Sequence, residues 1–181
     1  MDRTKVIIIA SIGVFGFLFV ALGDFGASKV EPLVGYWQDG RMQEAADFTL
    51  PALRGDSLTL SDYRGKIVVL NVWATWCAPC REEMPAFVRM QDEMRHTGVQ
   101  FIGVSIDGSM DLVAAFADEY HANYPLVLDD GTVDTSYEGN TGVPTTYLIN
   151  RKGQIWRYMA GPLSRASLIP ALRQMLDAEP V

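Results

Sequence analysis

Both cysteines of the chain lie in the stretch Trp73-Ala74-Thr75-Trp76-Cys77-Ala78-Pro79-Cys80. Two thiols so spaced can close a small disulfide and reopen it. The chemistry open to such a pair is thiol–disulfide exchange, in which a thiolate attacks a disulfide sulfur. A structural staple and half of a zinc site are the alternatives. A staple across so short a loop removes little chain entropy. Zinc needs further Cys or His ligands, and His96 and His121 stand isolated on patterns that read as helix surface. Reversible redox chemistry is the reading these residues support best.

The flanking elements say how the pair must be held. Lys66 to Trp73 is an apolar run that reads as a buried strand, and a helical pattern runs from Pro79 to about His96. Cys77 is therefore expected where a strand ends and a helix begins. The positive end of the helix dipole there favours a thiolate over a thiol. Cys77, near the helix start and the surface, is read as the attacking sulfur. Cys80, one turn in and more shielded, is read as the resolving sulfur, and burial opposes the deprotonation its attack requires.

Other elements follow from patterning. Phe48 to Leu50 and Ser57 to Leu60 read as short strands about the turn Arg54-Gly55-Asp56, and Ile67 to Trp73 as the central strand. Met84, Phe87, Val88, Gln91 and Met94 recur at helical spacing, with Pro85 expected to kink that helix. Met84, Met90 and Met94 are read as core filler rather than a soft-metal face. Val99 to Ser105 reads as a second buried strand, Met110 to Tyr120 as a helix, and Pro125 to Leu128 as an extended segment closed by Asp129-Asp130-Gly131. Thr145 to Asn150 and Gln154 to Met159 flank Arg151-Lys152-Gly153 as a hairpin. Ser164 or Ser167 then caps a last helix with Leu168, Leu172, Met175 and Leu176 on its apolar side. This order implies an α/β fold with a mixed central sheet, helices on both faces and a right-handed crossover.

A net charge of −7 without any basic cluster argues against nucleic-acid binding. Gly103-Val104-Ser105 and Gly139-Asn140-Thr141-Gly142 have the wrong spacing for a phosphate-binding loop. No metal or other cofactor is expected. At the N-terminus, Arg3 and Lys5 precede an uncharged run from Val6 to Gly23 that Asp24 ends. Such a run spans roughly 27 Å as a helix, enough for a bilayer core. The basic residues before it predict a cytoplasmic N-terminus and an exported remainder. A cleaved signal peptide is the rival, with Ala21-Leu22-Gly23 as a passable cleavage site, although the run exceeds the usual signal core. The expected organisation is an anchor or signal peptide over 1–23, a linker over 24–43 that includes Tyr36-Trp37, and one catalytic domain over 44–181. A lone cysteine pair in an exported chain fits an enzyme better than a stapled scaffold.

Several stretches together resemble the TlpA/ResA-type thiol-disulfide oxidoreductases, membrane-tethered proteins of thioredoxin fold. They are Asp47-Phe48-Thr49-Leu50-Pro51, Leu60-Ser61-Asp62-Tyr63-Arg64-Gly65-Lys66, the cysteine stretch with Glu83-Met84-Pro85, and Gly142-Val143-Pro144-Thr145-Thr146-Tyr147-Leu148-Ile149. The resemblance runs from about residue 44 to the C-terminus. It implies a thioredoxin-like fold in which about Asp107 to Asp134 is a strand-helix insert. Thioredoxin-like chains often carry a buried acid six residues before the first cysteine. Asn71 stands there and cannot accept a proton. In the resembled group a glutamate three residues after the second cysteine lines the site, and Glu83 matches it on the helix face of Cys80. The competing reading of Glu83 is a solvated first-turn acid, as for Glu82. The resemblance also implies a cis Val143–Pro144 peptide opposite the cysteines, with the Val143 backbone free to pair with a substrate strand. Trp76 is expected to form an apolar rim beside Cys77.

The implied activity is a bacterial thiol-disulfide reductase, acting from the membrane on the periplasmic side. Its clients would be proteins with cysteine pairs, apocytochrome c among them, and its electrons would come from a membrane thiol carrier. A disulfide-introducing oxidase is the near alternative, because exchange runs either way with relative potential. A copper-delivery protein using the pair as Cu(I) ligands is a more distant one. A peroxidase is also possible on such a scaffold, but its usual Pro-x-x-x-Thr-x-x-Cys pattern is missing, with Trp73 four residues before Cys77.

Overall fold

The computed structural model describes residues 42–137 and 142–178, together with the backbone of Leu33–Gly35. The expected anchor over 1–23 and Tyr36-Trp37 lie outside the described residues, as does Gly139-Asn140-Thr141. Among the described residues no helix is long and apolar enough to cross a membrane. In chain order the elements are β1 (Leu33–Gly35), β2 (Gln43–Glu44), β3 (Thr49–Pro51), β4 (Ser57–Thr59), a 3-10 turn (Leu60–Tyr63), β5 (Ile67–Trp73) and α1 (Ala78–Met94). Then come β6 (Val99–Ser105), α2 (Met110–Tyr120), β7 (Leu126–Leu128), α3 (Thr132–Ser136), β8 (Thr145–Ile149), β9 (Gln154–Ala160) and α4 (Arg165–Ala178).

The main sheet has the order β1-β9-β8-β5-β6-β7, with β2 also paired to β9. β5, β6 and β7 are parallel, whereas β8 is antiparallel to β5 and β9 antiparallel to β8. β5 is buried at every position, as a strand with apolar side chains on both faces must be. Ile67, Val69 and Trp73 face one core, with Phe87 and Met90 of α1, Phe116 of α2 and Leu172 of α4. Val68, Leu70 and Val72 face the other, with Leu50 and Leu58 of the β3–β4 hairpin, Leu60 and Val133 of α3. The cover is therefore uneven. The three long helices pack into the first core, and a hairpin with one short helix closes the second.

Several local differences from the sequence reading have plain causes. Leu60 leaves the β3–β4 hairpin and starts the 3-10 turn instead of extending the strand. The Asp129 turn leads into α3, because both carboxylate oxygens of Asp129 accept from the backbone N–H groups of Val133 and Asp134 at 3.0 and 3.1 Å. Leu33–Gly35, inside the span read as linker, adds an antiparallel strand to β9. α1 runs unbroken through Pro85, and α4 through Pro170. Ser164 precedes α4 and accepts from Ser167 N at 3.3 Å, so it is the capping serine of the two.

Register decides what meets at the end of the sheet. Trp73 pairs with Ser105 across the parallel β5–β6 ladder, and Val72 pairs with Thr145 at the start of β8. The segment before Cys77, the segment after Ser105 and Pro144 thus emerge along one edge. Gly103 leaves room for the Trp73 and Leu126 side chains beneath that edge. A Cβ there would lie 2.6 Å from Leu126 Cδ2 and 2.9 Å from Trp73 Nε1. Leu126 can yield, but the buried indole cannot. Gly103→Ala is expected to destabilise the fold by about 1–3 kcal/mol, and a urea midpoint equal to that of the parent would show that the indole relaxes.

Candidate active site at a strand–helix junction

Cys77 is the cap residue that begins α1, with extended backbone angles of φ −83° and ψ 106°. Its Sγ accepts from Cys80 N at 3.3 Å, and its carbonyl accepts from Arg81 N at 3.2 Å. The first turn of the helix therefore aims the Cys80 N–H at the sulfur, a placement that stabilises negative charge. Cys77 and Cys80 are joined by a disulfide, with Cα atoms 5.3 Å apart. Cys80 is 1 % exposed and Cys77 only 5 % exposed, so the surface access expected of Cys77 is narrow in the oxidised state. The exposed neighbour is Trp76, at 68 %.

Glu83 is not the solvated acid of the competing reading. It lies on the buried stripe of α1 that runs through Cys80, Glu83, Met84, Phe87 and Met90. Asn71 Nδ2 donates to its Oε1 at 3.0 Å, and Leu163 N donates to its Oε2 at 2.8 Å. Burial pushes its carboxyl up to about 8, against the opposing pull of the Leu163 and Asn71 bonds. Asn71 also donates to Thr146 Oγ1 at 3.1 Å, so the amide on β5 ties α1 to β8. Glu82, by contrast, is exposed.

The Val143–Pro144 peptide is cis, with Pro144 buried and Val143 half-buried. The Pro144 carbonyl accepts from Gly161 N at 2.8 Å. His96 and His121 are both exposed. Among the described residues no group of His, Cys, Asp and Glu is assembled to hold a metal. The thioether of Met84 is engaged as well, accepting from the buried Tyr124 hydroxyl at 2.6 Å. Burial, and then the nearby Glu83, hold the Tyr124 phenol far above its ordinary range.

Sequence reasoning missed Asp107, Leu163 and Tyr124. Asp107 lies just beyond β6 and bonds to Thr75, two residues before Cys77. These partners sit far from the cysteines in sequence and on no periodic pattern. The burial of Glu83 did have a signal, since it stands at helical spacing from Phe87 as well as from Cys80.

Residues 42–158 match the AhpC/TSA family. The chain belongs to that family. Among known proteins, the thioredoxin-like protein YneN of Bacillus subtilis (strain 168) is 38% identical over 141 residues, which are 76% of this chain and 79% of that protein. The thiol-disulfide oxidoreductase ResA of the same organism is 34% identical over 126 residues, 69% of this chain and 70% of ResA. In three dimensions the chain is similar to a thioredoxin-family thiol:disulfide interchange protein of Chlorobium tepidum TLS. That match has a TM-score of 0.69 and 26% identity, and covers 76% of this chain and 99% of the other. Fold, cysteine geometry and relatives agree: this AhpC/TSA-family protein is a ResA-like thiol-disulfide oxidoreductase of thioredoxin-like fold, and Cys77–Cys80 is its redox pair.

The raised Glu83 carboxyl makes stability depend on pH. Its folded value of about 8 lies above the unfolded value near 4.5, so the native state holds a proton that the unfolded state releases between them. The stabilisation is whole below the unfolded value and is lost as pH rises through the folded one. Oxidised wild type is expected to lose more stability between pH 5 and pH 9 than Glu83→Gln in urea unfolding. Equal losses would show that the Glu83 proton does not differ between the two states.

Proposed function

We propose that this oxidoreductase is a membrane-anchored reductase of the periplasmic side, which reduces cysteine pairs of client proteins such as apocytochrome c. Its electrons come from a membrane thiol carrier. The observation that carries a two-cysteine mechanism is the shared buried stripe of Cys80 and Glu83, which sets a proton-accepting group one turn from the shielded sulfur. The relatives named ResA and the TlpA/ResA resemblance support the reductive direction. The uncharged run from Val6 to Gly23 supports the anchor.

In the proposed cycle the Cys77 thiolate attacks one sulfur of a client disulfide. A Cys77–client disulfide forms, the client S–S bond breaks, and the first client sulfur leaves as a thiolate. The Val143 backbone and Trp76 hold the client chain beside the sulfur. Cys80 then gives its proton to the Glu83 carboxylate and attacks Cys77 Sγ. The mixed disulfide breaks, the second client thiolate leaves, and Cys77–Cys80 closes. The client gains two electrons and the pair loses two, which the membrane carrier restores. Because the Glu83 carboxyl titrates near 8, its share as a base grows as pH rises through that value.

Cys80→Ser is expected to accumulate mixed disulfides with clients, and Glu83→Gln to slow their resolution by ~10²–10⁴-fold where the wild-type carboxylate is ionised. Trapping by Cys77→Ser instead would reverse the roles of the two sulfurs. Superimposable pH–rate profiles for wild type and Glu83→Gln would remove Glu83 from the reaction. The direction is read from the reduction potential of the pair, expected near about −270 mV or lower; a value near about −120 mV would make the protein an oxidase.

A further inference from the structure

The loop between β5 and α1 is short, irregular and carries the reactive sulfur. It is bolted down by one carboxylate. Thr75 N donates to Asp107 Oδ2 at 2.9 Å, and Thr75 Oγ1 donates to Asp107 Oδ1 at 2.7 Å. Asp107 is itself fixed by Ser105, whose hydroxyl donates to Oδ2 at 2.7 Å and accepts from Asp107 N at 3.1 Å. Ser105 is fully buried and Asp107 nearly so. Ile106 N also donates to the Trp73 carbonyl at 3.0 Å, so the end of β6 grips the loop on both sides of Ala74. Hydrogen bonds to a carboxylate are among the stronger ones a protein makes.

We propose that Asp107 is a positioning residue for thiol–disulfide exchange: by holding Thr75 it keeps Cys77 Sγ at the N-terminus of α1, where the helix favours the thiolate. The field of a helix end fades within one turn, so a loosened loop takes the sulfur out of it. Asp107 does this from the strand-helix insert and touches neither cysteine in doing so. Other titratable groups about the loop are bonded elsewhere: Glu83 to Asn71 and Leu163, Tyr124 to Met84, and Arg81 of α1 to Glu119 of α2. A role confined to tying β5 to β6 would change stability but leave the acidity of Cys77 in the folded protein untouched. A role exercised through negative charge would make the thiolate harder to form.

The positioning and charge roles differ in sign and the tying role predicts no change, which makes the test decisive. The full chain carrying Cys80→Ser has Cys77 as its one thiol, and iodoacetamide alkylation across pH reads the acidity of that thiol. In this background Asp107→Ala is expected to raise the midpoint by about half a unit, as the sulfur leaves the helix end. Asp107→Asn is expected not to raise it. Its oxygen still accepts from Thr75 N and Ser105 Oγ, while its amide donates to a rotated Thr75 hydroxyl. An unchanged midpoint in Asp107→Ala, or a fall in both variants, overturns the proposal. Should Asp107→Ala fail to fold, Thr75→Val deletes the Thr75 Oγ1–Asp107 Oδ1 bond alone. Its midpoint must then rise, and a parental value overturns the proposal equally. The inference rests on Cys77 as the sulfur that meets the client, but alkylation reads Cys77 directly whatever its role. Client trapping tests the role itself, so the two failures are told apart.

Discussion

Strand β5 is buried on both faces and hydrogen-bonded on both edges, to β6 in parallel and β8 in antiparallel register. A strand so enclosed cannot shift by one residue without driving its apolar side chains into the wrong core. Its last residue is therefore held rigidly in place, and with it the start of the loop that delivers Cys77 to α1. The same enclosure imposes a polar demand. Asn71 sits among Ile67, Val69 and Trp73, and a buried amide without partners would cost about 1–3 kcal/mol. Glu83 and Thr146 satisfy it. The core and the redox site thus share residues.

Glu83 shows how competing terms settle in that setting. Two N–H donors reach its oxygens and favour the charged form, while burial favours the neutral one. Burial wins, because two bonds do not replace the hydration that a carboxylate has in water. Placed on the stripe of Cys80, such a group exchanges a proton at a pH near that of an ordinary thiol. An ordinary surface glutamate is already ionised there.

Asp107 meets a different demand from the other side of the loop. Its oxygens accept from Thr75 N, Thr75 Oγ1 and Ser105 Oγ, so it joins the loop to the end of β6. Beyond the anchor, Trp76 turns outward and is the large apolar surface beside the disulfide.

The sequence by itself determined the chemistry of the pair, the junction of β5 with α1 and the identity of the long elements. Those features are local: a cysteine spacing, an apolar run, a helical period. It also pointed to Glu83, through spacing from Cys80 and family resemblance, but left open whether that acid is solvated. Tertiary structure alone decided this, since burial of Glu83 depends on Asn71 from β5 and Leu163 from the segment before α4. It alone brought Asp107 to Thr75, because the meeting requires β5 and β6 to end in register. It alone put the three long helices against one core. Contacts between residues so distant in the chain leave no period to read, and the price of burying a charge is set by the neighbours that only folding supplies.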